Sequence, residues 1–215
     1  MADLPVVLCY GDSNTHGADP AGGARLGRDV RWPGRLATLL DGEAQVIEEG
    51  LNGRTTMRDD VYVEGRNGRT MLLPCLRTHN PVDVLVLMLG SNDLKPQFNA
   101  APNEIALGID SLVLLAQASG CGPGGAAPQI LLVAPPALTQ TSARSELWGF
   151  AGRQAMAREL PRLYRTVAEV RGTAFLDASA FVAGDPADGV HLSPGAHSTL
   201  APVIAAAVRP LLARG

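Results

Sequence analysis

Net charge is low in this 215-residue chain, and no basic cluster is present. Eighteen Lys and Arg residues stand against 21 Asp and Glu residues, which gives a formal charge of −3 at pH 7. The basic residues are scattered along the sequence without a polybasic run. Nucleic-acid-binding domains usually carry a clustered basic face. The composition therefore predicts no nucleic-acid partner.

Long apolar runs are also missing. No apolar stretch approaches the roughly 20 residues that a membrane-spanning helix requires. Residues 1–5 lack the charged start and the apolar middle of a secretory signal peptide. We therefore predict no membrane association and a cytoplasmic location.

Cysteine is scarce, with only Cys9, Cys75 and Cys121 in the chain. Their number is odd, they are far apart, and no Cys-x-x-Cys pair occurs. This spacing indicates neither a disulfide framework nor a zinc site. We expect Cys9 to be a small apolar core residue, and we predict no metal site.

The sequence does contain a regular alternation of short apolar segments, rich in β-forming residues, with segments of helix length. That alternation is typical of a parallel sheet covered by helices on both faces. The predicted strands are residues 6–10, 45–48, 82–89, 130–134 and 174–176. We place segment 82–89 at the centre of the sheet, because strands buried on both faces lose their polar alternation. The length fits one domain, which we assign to residues 1–215.

The predicted helices are residues 32–40, 71–79, 102–118, 149–171 and 195–213. Start signals or helical spacing support them; Ser193-Pro194, for example, offers an N-cap followed by proline at the first helical position. Three long segments do not fit the alternation: residues 19–29, 54–69 and 135–148. Because long loops at the ends of parallel strands commonly carry function, we expect these three to wall an active site.

A serine follows the first predicted strand directly, in the sequence Gly11-Asp12-Ser13. The carboxyl ends of the strands are where an open α/β sheet builds its active site. A serine hydroxyl is a poor nucleophile until a general base takes its proton. Near the C-terminus, Asp188 and His191 are spaced Asp-x-x-His, so one short turn supplies a base and a carboxylate that orients it. We predict Ser13 as nucleophile, His191 as base and Asp188 as the orienting carboxylate.

Candidate donors for an oxyanion follow the next two predicted strands. Gly53 lies in the loop after the second strand, and its missing side chain allows a close approach to a ligand. Asn92 lies just past the third strand. The predicted oxyanion donors are therefore the backbone amides of Ser13 and Gly53 and the side-chain amide of Asn92. Asn92 and Asp93 also suit the start of a helix, and for Asp93 we favour a structural role.

Four sequence blocks resemble, in order and approximate spacing, those of the SGNH (GDSL-type) esterases and lipases. They are Gly11-Asp12-Ser13, Gly53 in its loop, Gly90-Ser91-Asn92-Asp93 and Asp188-Gly189-Val190-His191. The resemblance covers nearly the whole chain. Further stretches, such as Arg31-Trp32-Pro33 and the Pro135-Pro136 loop, resemble the bacterial arylesterase/acyltransferase branch of that family.

This resemblance implies a flavodoxin-like three-layer α/β/α sandwich, here with five predicted parallel strands. It also implies a Ser–Asp–His triad and no metal or organic cofactor. The implied substrates are small-molecule, short-chain acyl esters, with alcohols or peroxide competing with water for the acyl-enzyme. Members that resemble this chain tend to be oligomeric, so the resemblance further implies a homo-oligomer in which neighbouring subunits narrow the entrance to the site.

The chain departs from the family pattern in two places. In the first block, Asn14 follows the serine at a position where the family usually has leucine. This branch also usually carries an aromatic residue near the position of His16. In the second block, Asn52 precedes Gly53 where relatives often have a small residue. These positions affect the shape of the acyl pocket and the choice of acceptor. The predicted substrate-binding residues are Asp12, Asn14, His16, Asn52 and Trp148.

Other functions remain open at this point. A carbohydrate O-deacetylase of the same fold would use the same residues, whereas a binding protein without turnover is less favoured because every required group is kept. A metallophosphoesterase needs clustered carboxylate and imidazole ligands, and the first block has no Asp-x-His. The α/β-hydrolase fold is disfavoured because Thr15 occupies the place of the second glycine in Gly-x-Ser-x-Gly.

Overall fold

A computed structural model describes residues 4–213, in which five strands form one parallel sheet. They are β1 (Val6–Gly11), β2 (Gln45–Gly50), β3 (Val84–Met88), β4 (Gln129–Ala134) and β5 (Ala174–Asp177). The spatial order β2-β1-β3-β4-β5 is that of the flavodoxin-like folds. The predicted fold class is confirmed, and each predicted strand is found.

The predicted central strand is confirmed as well. β3 pairs with β1 on one side and with β4 on the other, and all of its residues are buried. Because successive side chains of a strand point to opposite faces, a strand covered on both sides must be apolar throughout. This requirement explains the nearly continuous run of Val and Leu in the segment 82–89.

Eight α-helices occur over residues 4–213. They are α1 (Ser13–His16), α2 (Trp32–Leu39), α3 (Gly68–Thr78), α4 (Pro102–Gln117), α5 (Ala143–Leu147), α6 (Gln154–Ala157), α7 (Leu160–Arg171) and α8 (Pro194–Leu212). Helices α3, α4 and α7 pack on one face of the sheet, and α2 and α8 pack on the other. In this part of the chain, no helix combines the length and the apolar character needed to cross a bilayer.

Strand β1 shows how one segment serves both cores. Leu8 and Tyr10 belong to the core beneath α3, α4 and α7, whereas Val7 and Cys9 belong to the core beneath α2 and α8. Cys9 is fully buried among apolar side chains. Its expected position in the core is therefore confirmed.

The single helix predicted for residues 149–171 is wrong in its first half. Gly149 and Gly152 adopt positive φ angles of 91° and 69°, which interrupt a right-handed helix. The long helix α7 begins only at Leu160, with Pro161 in its first turn. The segment 135–148, predicted as a loop, contains the short helix α5.

The carboxyl ends of β1, β2 and β3 lie side by side because all three strands are parallel. The strand order reverses here, since β1 is followed in sequence by β2 on one side and is paired with β3 on the other. Such a switch point is where open α/β sheets bind ligands. The segments that follow these three strands carry Ser13, Gly53 and Asn92.

Candidate active site

The turn that carries the predicted nucleophile, Ser13, follows β1 without a spacer. Ser13 is the first residue of the one-turn helix α1 and is 7% exposed. Asp12 caps this helix, because its Oδ1 accepts a hydrogen bond from the Asn14 amide at 3.0 Å. At Gly11, a Cβ would collide with the side chain of Thr15. Glycine therefore allows the sharp turn that brings the Ser13 hydroxyl to the end of the strand.

Ser13, His191 and Asp188 form a continuous hydrogen-bonded chain. His191 Nε2 lies 3.0 Å from Ser13 Oγ, and His191 Nδ1 lies 2.6 Å from Asp188 Oδ2. An ionised carboxylate can only accept hydrogen bonds, so Nδ1 carries the proton and Nε2 accepts from the serine hydroxyl. This arrangement is suited to general-base activation of a serine.

Asp188 is completely buried but well paired. Its Oδ1 accepts from the backbone amides of Val190 and His191, both at 2.9 Å. Burial raises the pKa of Asp188, but the hydrogen bonds from the His191 side chain and from these amides outweigh it and hold the pKa below its ordinary value. Arg144 adds a positive charge, with Nη2 3.5 Å from Oδ2. The carboxylate is therefore ionised at neutral pH.

The side chain of Asn14 holds the loop that carries His191. Its Nδ2 donates to the Val190 carbonyl at 3.2 Å, and its Oδ1 accepts from the Leu192 amide at 3.0 Å. These two partners flank His191 in sequence, while Asn14 itself follows Ser13. Asn14 is only 3% exposed. One buried side-chain amide thus connects the turn that carries Ser13 to the loop that carries His191.

The three predicted oxyanion donors belong to residues that line one cavity. The backbone amides of Ser13 and Gly53 have no acceptor among residues 4–213. Gly53 has a φ of +79°, a backbone conformation that favours glycine over residues with a side chain. Asn92 Nδ2 donates to the Arg54 carbonyl at 3.1 Å, which leaves a second N–H for another acceptor.

A buried arginine fixes the loop that carries Gly53. Arg54 Nη1 donates to the Gly11 carbonyl at 2.9 Å and also to the Glu49 carbonyl. The guanidinium lies 4.0 Å from the centre of the Tyr10 ring. Because Gly11 and Glu49 lie at the ends of β1 and β2, the Arg54 side chain connects the two strand ends by hydrogen bonds.

Asp93 fixes the loop after β3 in a similar way. Its carboxylate accepts from the Thr56 amide at 3.0 Å and from the Thr56 hydroxyl at 2.6 Å. Complete burial raises the pKa of Asp93 to about 6, against the opposing effect of the Thr56 hydrogen bonds. The contact joins the segment after Gly53 to the segment that carries Asn92, and it fits a structural role for Asp93.

A cavity of about 550 Å³ lies over Ser13 and is lined by that residue, Asn92 and His191. Each of the three predicted wall segments contributes to it, as the positions of Asp19, Tyr62 and Trp148 show. Its charged lining residues are Asp19, Asp60, Arg66, Lys95 and Arg144. The space above Ser13 is therefore bordered by several charged side chains and is formed largely by long loops.

Sequence reasoning missed the cations Arg66, Lys95 and Arg144, because single basic residues in long loops have no diagnostic spacing. Arg66 pairs with Asp60 at 2.6 Å. Burial lowers the pKa of Lys95, and the nearby Arg66 lowers it further. The Lys95 ammonium lies 5.1 Å from the centre of the Phe150 ring.

Two of the predicted substrate-binding residues lie at the cavity. Asn52 and Trp148 both line it. The Trp148 ring meets the His191 imidazole edge-on, with 5.7 Å between the ring centres and an angle of 71° between the planes. Trp148 therefore forms a wall of the cavity directly beside the His191 imidazole.

The other three predicted substrate-binding residues lie outside the cavity wall formed by residues 4–213. Asp12 caps α1, and Asn14 holds the loop of the base. His16 Nδ1 lies 3.3 Å from the Gly50 carbonyl oxygen. In each case at least one polar atom of the side chain contacts the protein itself, and a contact of these three residues with substrate stays a prediction.

Comparison with known proteins identifies the family. Residues 9–198 match the model of the GDSL-like lipase/acylhydrolase family. No curated protein matches the chain significantly. The match therefore covers most of the chain, including all four sequence blocks.

Solved structures of similar proteins cover nearly the whole chain. An aryl esterase from M. smegmatis is 38% identical with a TM-score of 0.91, over 97% of this chain and 100% of that one. A carbohydrate acetylesterase family member from Sinorhizobium meliloti is 38% identical with a TM-score of 0.92, over 98% and 100%. A carbohydrate acetylesterase from the same organism is 36% identical with a TM-score of 0.90, over 96% and 99%. The chain thus belongs to the GDSL-like lipase/acylhydrolase family, the SGNH hydrolases, and is an ester hydrolase.

Proposed function

We propose that this ester hydrolase works through an acyl-enzyme on Ser13. His191 takes the hydroxyl proton as Ser13 Oγ attacks the ester carbonyl, and Asp188 stabilises the imidazolium. The proton then passes from His191 Nε2 to the leaving alcohol, and the acyl group stays on Ser13. The observation that supports this best is the unbroken chain of hydrogen bonds, 3.0 and 2.6 Å long, from Ser13 through His191 to Asp188.

The carbonyl oxygen becomes negatively charged during the attack and needs donors aimed at one point. We assign this role to the amides of Ser13 and Gly53 and to Asn92 Nδ2. Their support is that both amides lack an acceptor among residues 4–213, and that Asn92 keeps one N–H beyond its bond to Arg54. One such donor contributes about 10²–10³-fold to kcat in a serine protease.

Water completes the proposed cycle. His191 takes a proton from the water as its oxygen attacks the acyl carbonyl, and returns it to Ser13 Oγ as the acid leaves. An alcohol or a peroxide that reaches the same position would accept the acyl group by the same step. We therefore include acyl transfer as a reaction that competes with hydrolysis. Apart from the acyl acceptor, these steps use only groups of the chain itself.

The substrates we assign to this site are short acyl esters, with aryl acetates and carbohydrate O-acetates as the two candidate classes. Asn52, Gln97 and Lys95 give the cavity hydrogen-bonding groups that suit a polar alcohol part. Trp148 supplies an aromatic wall beside His191 that suits an aryl group or the apolar face of a sugar. The similar solved proteins include an aryl esterase and carbohydrate acetylesterases.

A fluorophosphonate tests the proposed nucleophile directly. We expect one phosphonyl group per chain, on the peptide that contains Ser13, because only an activated serine attacks this reagent rapidly. Ser91 also lines the cavity, but His191 Nε2 bonds to Ser13, so Ser91 should remain unmodified. Mass spectrometry locates the label, with heat-denatured protein as the control. A label on Ser91, or none on the folded protein, would contradict the proposal.

Asn14→Ala tests whether the hydrogen bonds from Asn14 to the loop that carries His191 are needed for turnover. The variant loses both bonds to the backbone around His191, so the imidazole is no longer held against Ser13. We expect kcat for p-nitrophenyl acetate to fall roughly 10- to 100-fold with little change in KM, since a displacement of about 1 Å in a catalytic group has effects of this size. Steady-state kinetics at a temperature where the variant is fully folded gives both constants.

The matched control for this prediction is Asn103→Ala, because Asn103 is an exposed residue in the first turn of α4. It should retain the kcat of the unmodified protein. A positioning role for Asn14 is excluded if Asn14→Ala keeps its kcat, or if only its KM rises.

We further propose that copies of the chain assemble around the entrance of the cavity. Leu147 and Tyr62 line the cavity and are 86% and 77% exposed, and the adjacent Val61 is 81% exposed. Large apolar side chains grouped on one rim commonly mark an interaction surface. Light scattering should then give a mass greater than that of one chain. The cytoplasmic location stays a prediction from the sequence.

A further inference from the structure

A second cluster of reactive side chains lies at the edge of the sheet, apart from the cavity. Glu49 is near the end of the edge strand β2, Cys75 is in α3, and His79 is the residue that caps the end of α3. One ligand atom from each of the three lies within 4.8 Å of the others. His79 Nε2 is 3.0 Å from Glu49 Oε1.

The fold explains how these three residues meet. Cys75 and His79 are four residues apart, which puts them on one face of a helix. Glu49 pairs with Tyr10 in the parallel register, so their side chains point to the same face of the sheet. The Tyr10 hydroxyl donates to the Gly68 carbonyl at 2.8 Å. Because Gly68 begins α3, this bond helps to hold the helix over the face that carries Glu49.

We propose that Glu49, Cys75 and His79 bind one divalent cation of the zinc class. A thiolate, an imidazole and a carboxylate are the three side-chain ligand types that zinc uses. Hard cations such as Mg²⁺ and Ca²⁺ prefer sites built of oxygen alone. Metal–ligand distances of about 2.0–2.3 Å separate the ligand atoms of a tetrahedral site by roughly 3.5 Å. The three candidate ligand atoms lie within 4.8 Å of one another, so their separations exceed that spacing by at most about 1.3 Å.

Charge and access both suit a dication at this cluster. On binding, Cys75 releases its proton to solvent, and its thiolate together with the Glu49 carboxylate neutralises the two charges of the ion. Burial raises the pKa of the Cys75 thiol, and the Glu49 carboxylate raises it further, so the proton leaves only when an ion replaces it. The side chains of His79 and Glu49 are 25% and 33% exposed. An ion can therefore enter from solvent, and water can occupy the fourth position.

The alternative interpretation is an ion pair between His79 and Glu49 with an uninvolved thiol beside it. Only metal binding engages the sulfur of Cys75, so a measurement that reports sulfur ligation separates the two interpretations. The site is also independent of the proposed hydrolysis, because none of the three residues is among those that line the cavity over Ser13.

Anaerobic titration of the full chain with Co²⁺ reports sulfur ligation. We expect one equivalent of Co²⁺ to produce a sulfur-to-cobalt charge-transfer band in the near ultraviolet, together with the visible bands of tetrahedral cobalt. Zn²⁺ should then remove both sets of bands, because zinc binds such sites more tightly than cobalt. If no charge-transfer band forms at several equivalents of Co²⁺, the proposal is overturned.

Variants assign the ligands. Cys75→Ser should abolish the charge-transfer band, and His79→Ala should weaken Co²⁺ binding by more than about tenfold, a loss seen even for groups that only support a metal ligand. Cys121→Ser is the matched control, since it removes a buried thiol outside the cluster, and it should keep the band. A band that survives Cys75→Ser or disappears in Cys121→Ser would overturn the proposal.

Hydrolysis of p-nitrophenyl acetate by the same variants keeps the two proposals distinguishable. Cys75→Ser and His79→Ala should retain hydrolysis, which shows that they are folded, because the proposed reaction depends on Ser13 and not on this cluster. Loss of cobalt binding with retained hydrolysis therefore supports the metal site. If the unmodified protein binds cobalt through Cys75 but does not hydrolyse the ester, only the proposed reaction is contradicted.

Discussion

Ser13→Ala should lower kcat for p-nitrophenyl acetate by roughly 10⁴- to 10⁶-fold, the range for removal of a serine nucleophile from a triad. Among residues 4–213, the Ser13 hydroxyl is the side-chain group hydrogen-bonded to His191 Nε2, so no second nucleophile is in place to replace it. The oxyanion donors would remain and would still assist attack by water, which leaves a small residual rate. The release of p-nitrophenolate, measured with and without EDTA, gives the comparison.

Ser111→Ala serves as the control for this substitution. Ser111 lies in α4, where its hydroxyl accepts from Arg69 Nε at 2.8 Å, and it should keep the turnover of the unmodified protein. Full hydrolysis by Ser13→Ala would refute the serine mechanism. Activity that survives in Ser13→Ala but is lost with EDTA would indicate a metal-dependent hydrolase instead.

The sheet is predictable from the sequence because its physical requirements are local. A parallel strand covered on both faces must be apolar at successive positions, and β3 meets this requirement along its whole length. The break before α7 is less predictable. A glycine inside a helix and a glycine with positive φ look alike in the sequence, and only the backbone at Gly149 and Gly152 shows which kind is present.

The proposed catalytic residues are predictable for a similar reason. Asp188 and His191 are three residues apart, so one turn brings them together, and Ser13 directly follows a strand whose end lies at the switch point of the sheet. The role of Asn14 has no such local signal. The presence of Asn14 in place of a leucine suggests substrate contact. In the structure, however, the side-chain amide of Asn14 donates a hydrogen bond to the backbone carbonyl of Val190, 176 residues away in sequence.

The candidate metal cluster shows another limit of spacing arguments. Three separate cysteines without a Cys-x-x-Cys pair indicate no zinc site. Two of the proposed ligands, Cys75 and His79, nevertheless have the four-residue spacing that puts two side chains on one face of a helix. This spacing can indicate a pair of ligands from the sequence alone. The third, Glu49, comes from a different element, and only the packing of α3 against the end of β2 brings it into reach.

His191→Ala should reduce kcat about as much as Ser13→Ala, roughly 10⁴- to 10⁶-fold, because nucleophile and base act as one unit. Without Nε2, the Ser13 hydroxyl loses the acceptor that lies 3.0 Å away. The double variant, which combines Ser13→Ala and His191→Ala, should then have a kcat no lower than that of either single variant. The measurement is kcat for p-nitrophenyl acetate in the two single variants and the double variant.

The double variant distinguishes the loss of one functional unit from general damage to the fold. Two substitutions that merely damaged the fold at separate points would have additive effects on the activation free energy, so their fold-losses in rate would multiply. Removal of two members of one hydrogen-bonded unit should not show this additivity. His16→Ala is the matched control, because His16 is the other histidine near the nucleophile turn and its Nδ1 faces the Gly50 carbonyl. It should keep most of the turnover. Additive losses, or a fall in His16→Ala as deep as in His191→Ala, would remove His191 from the role of base.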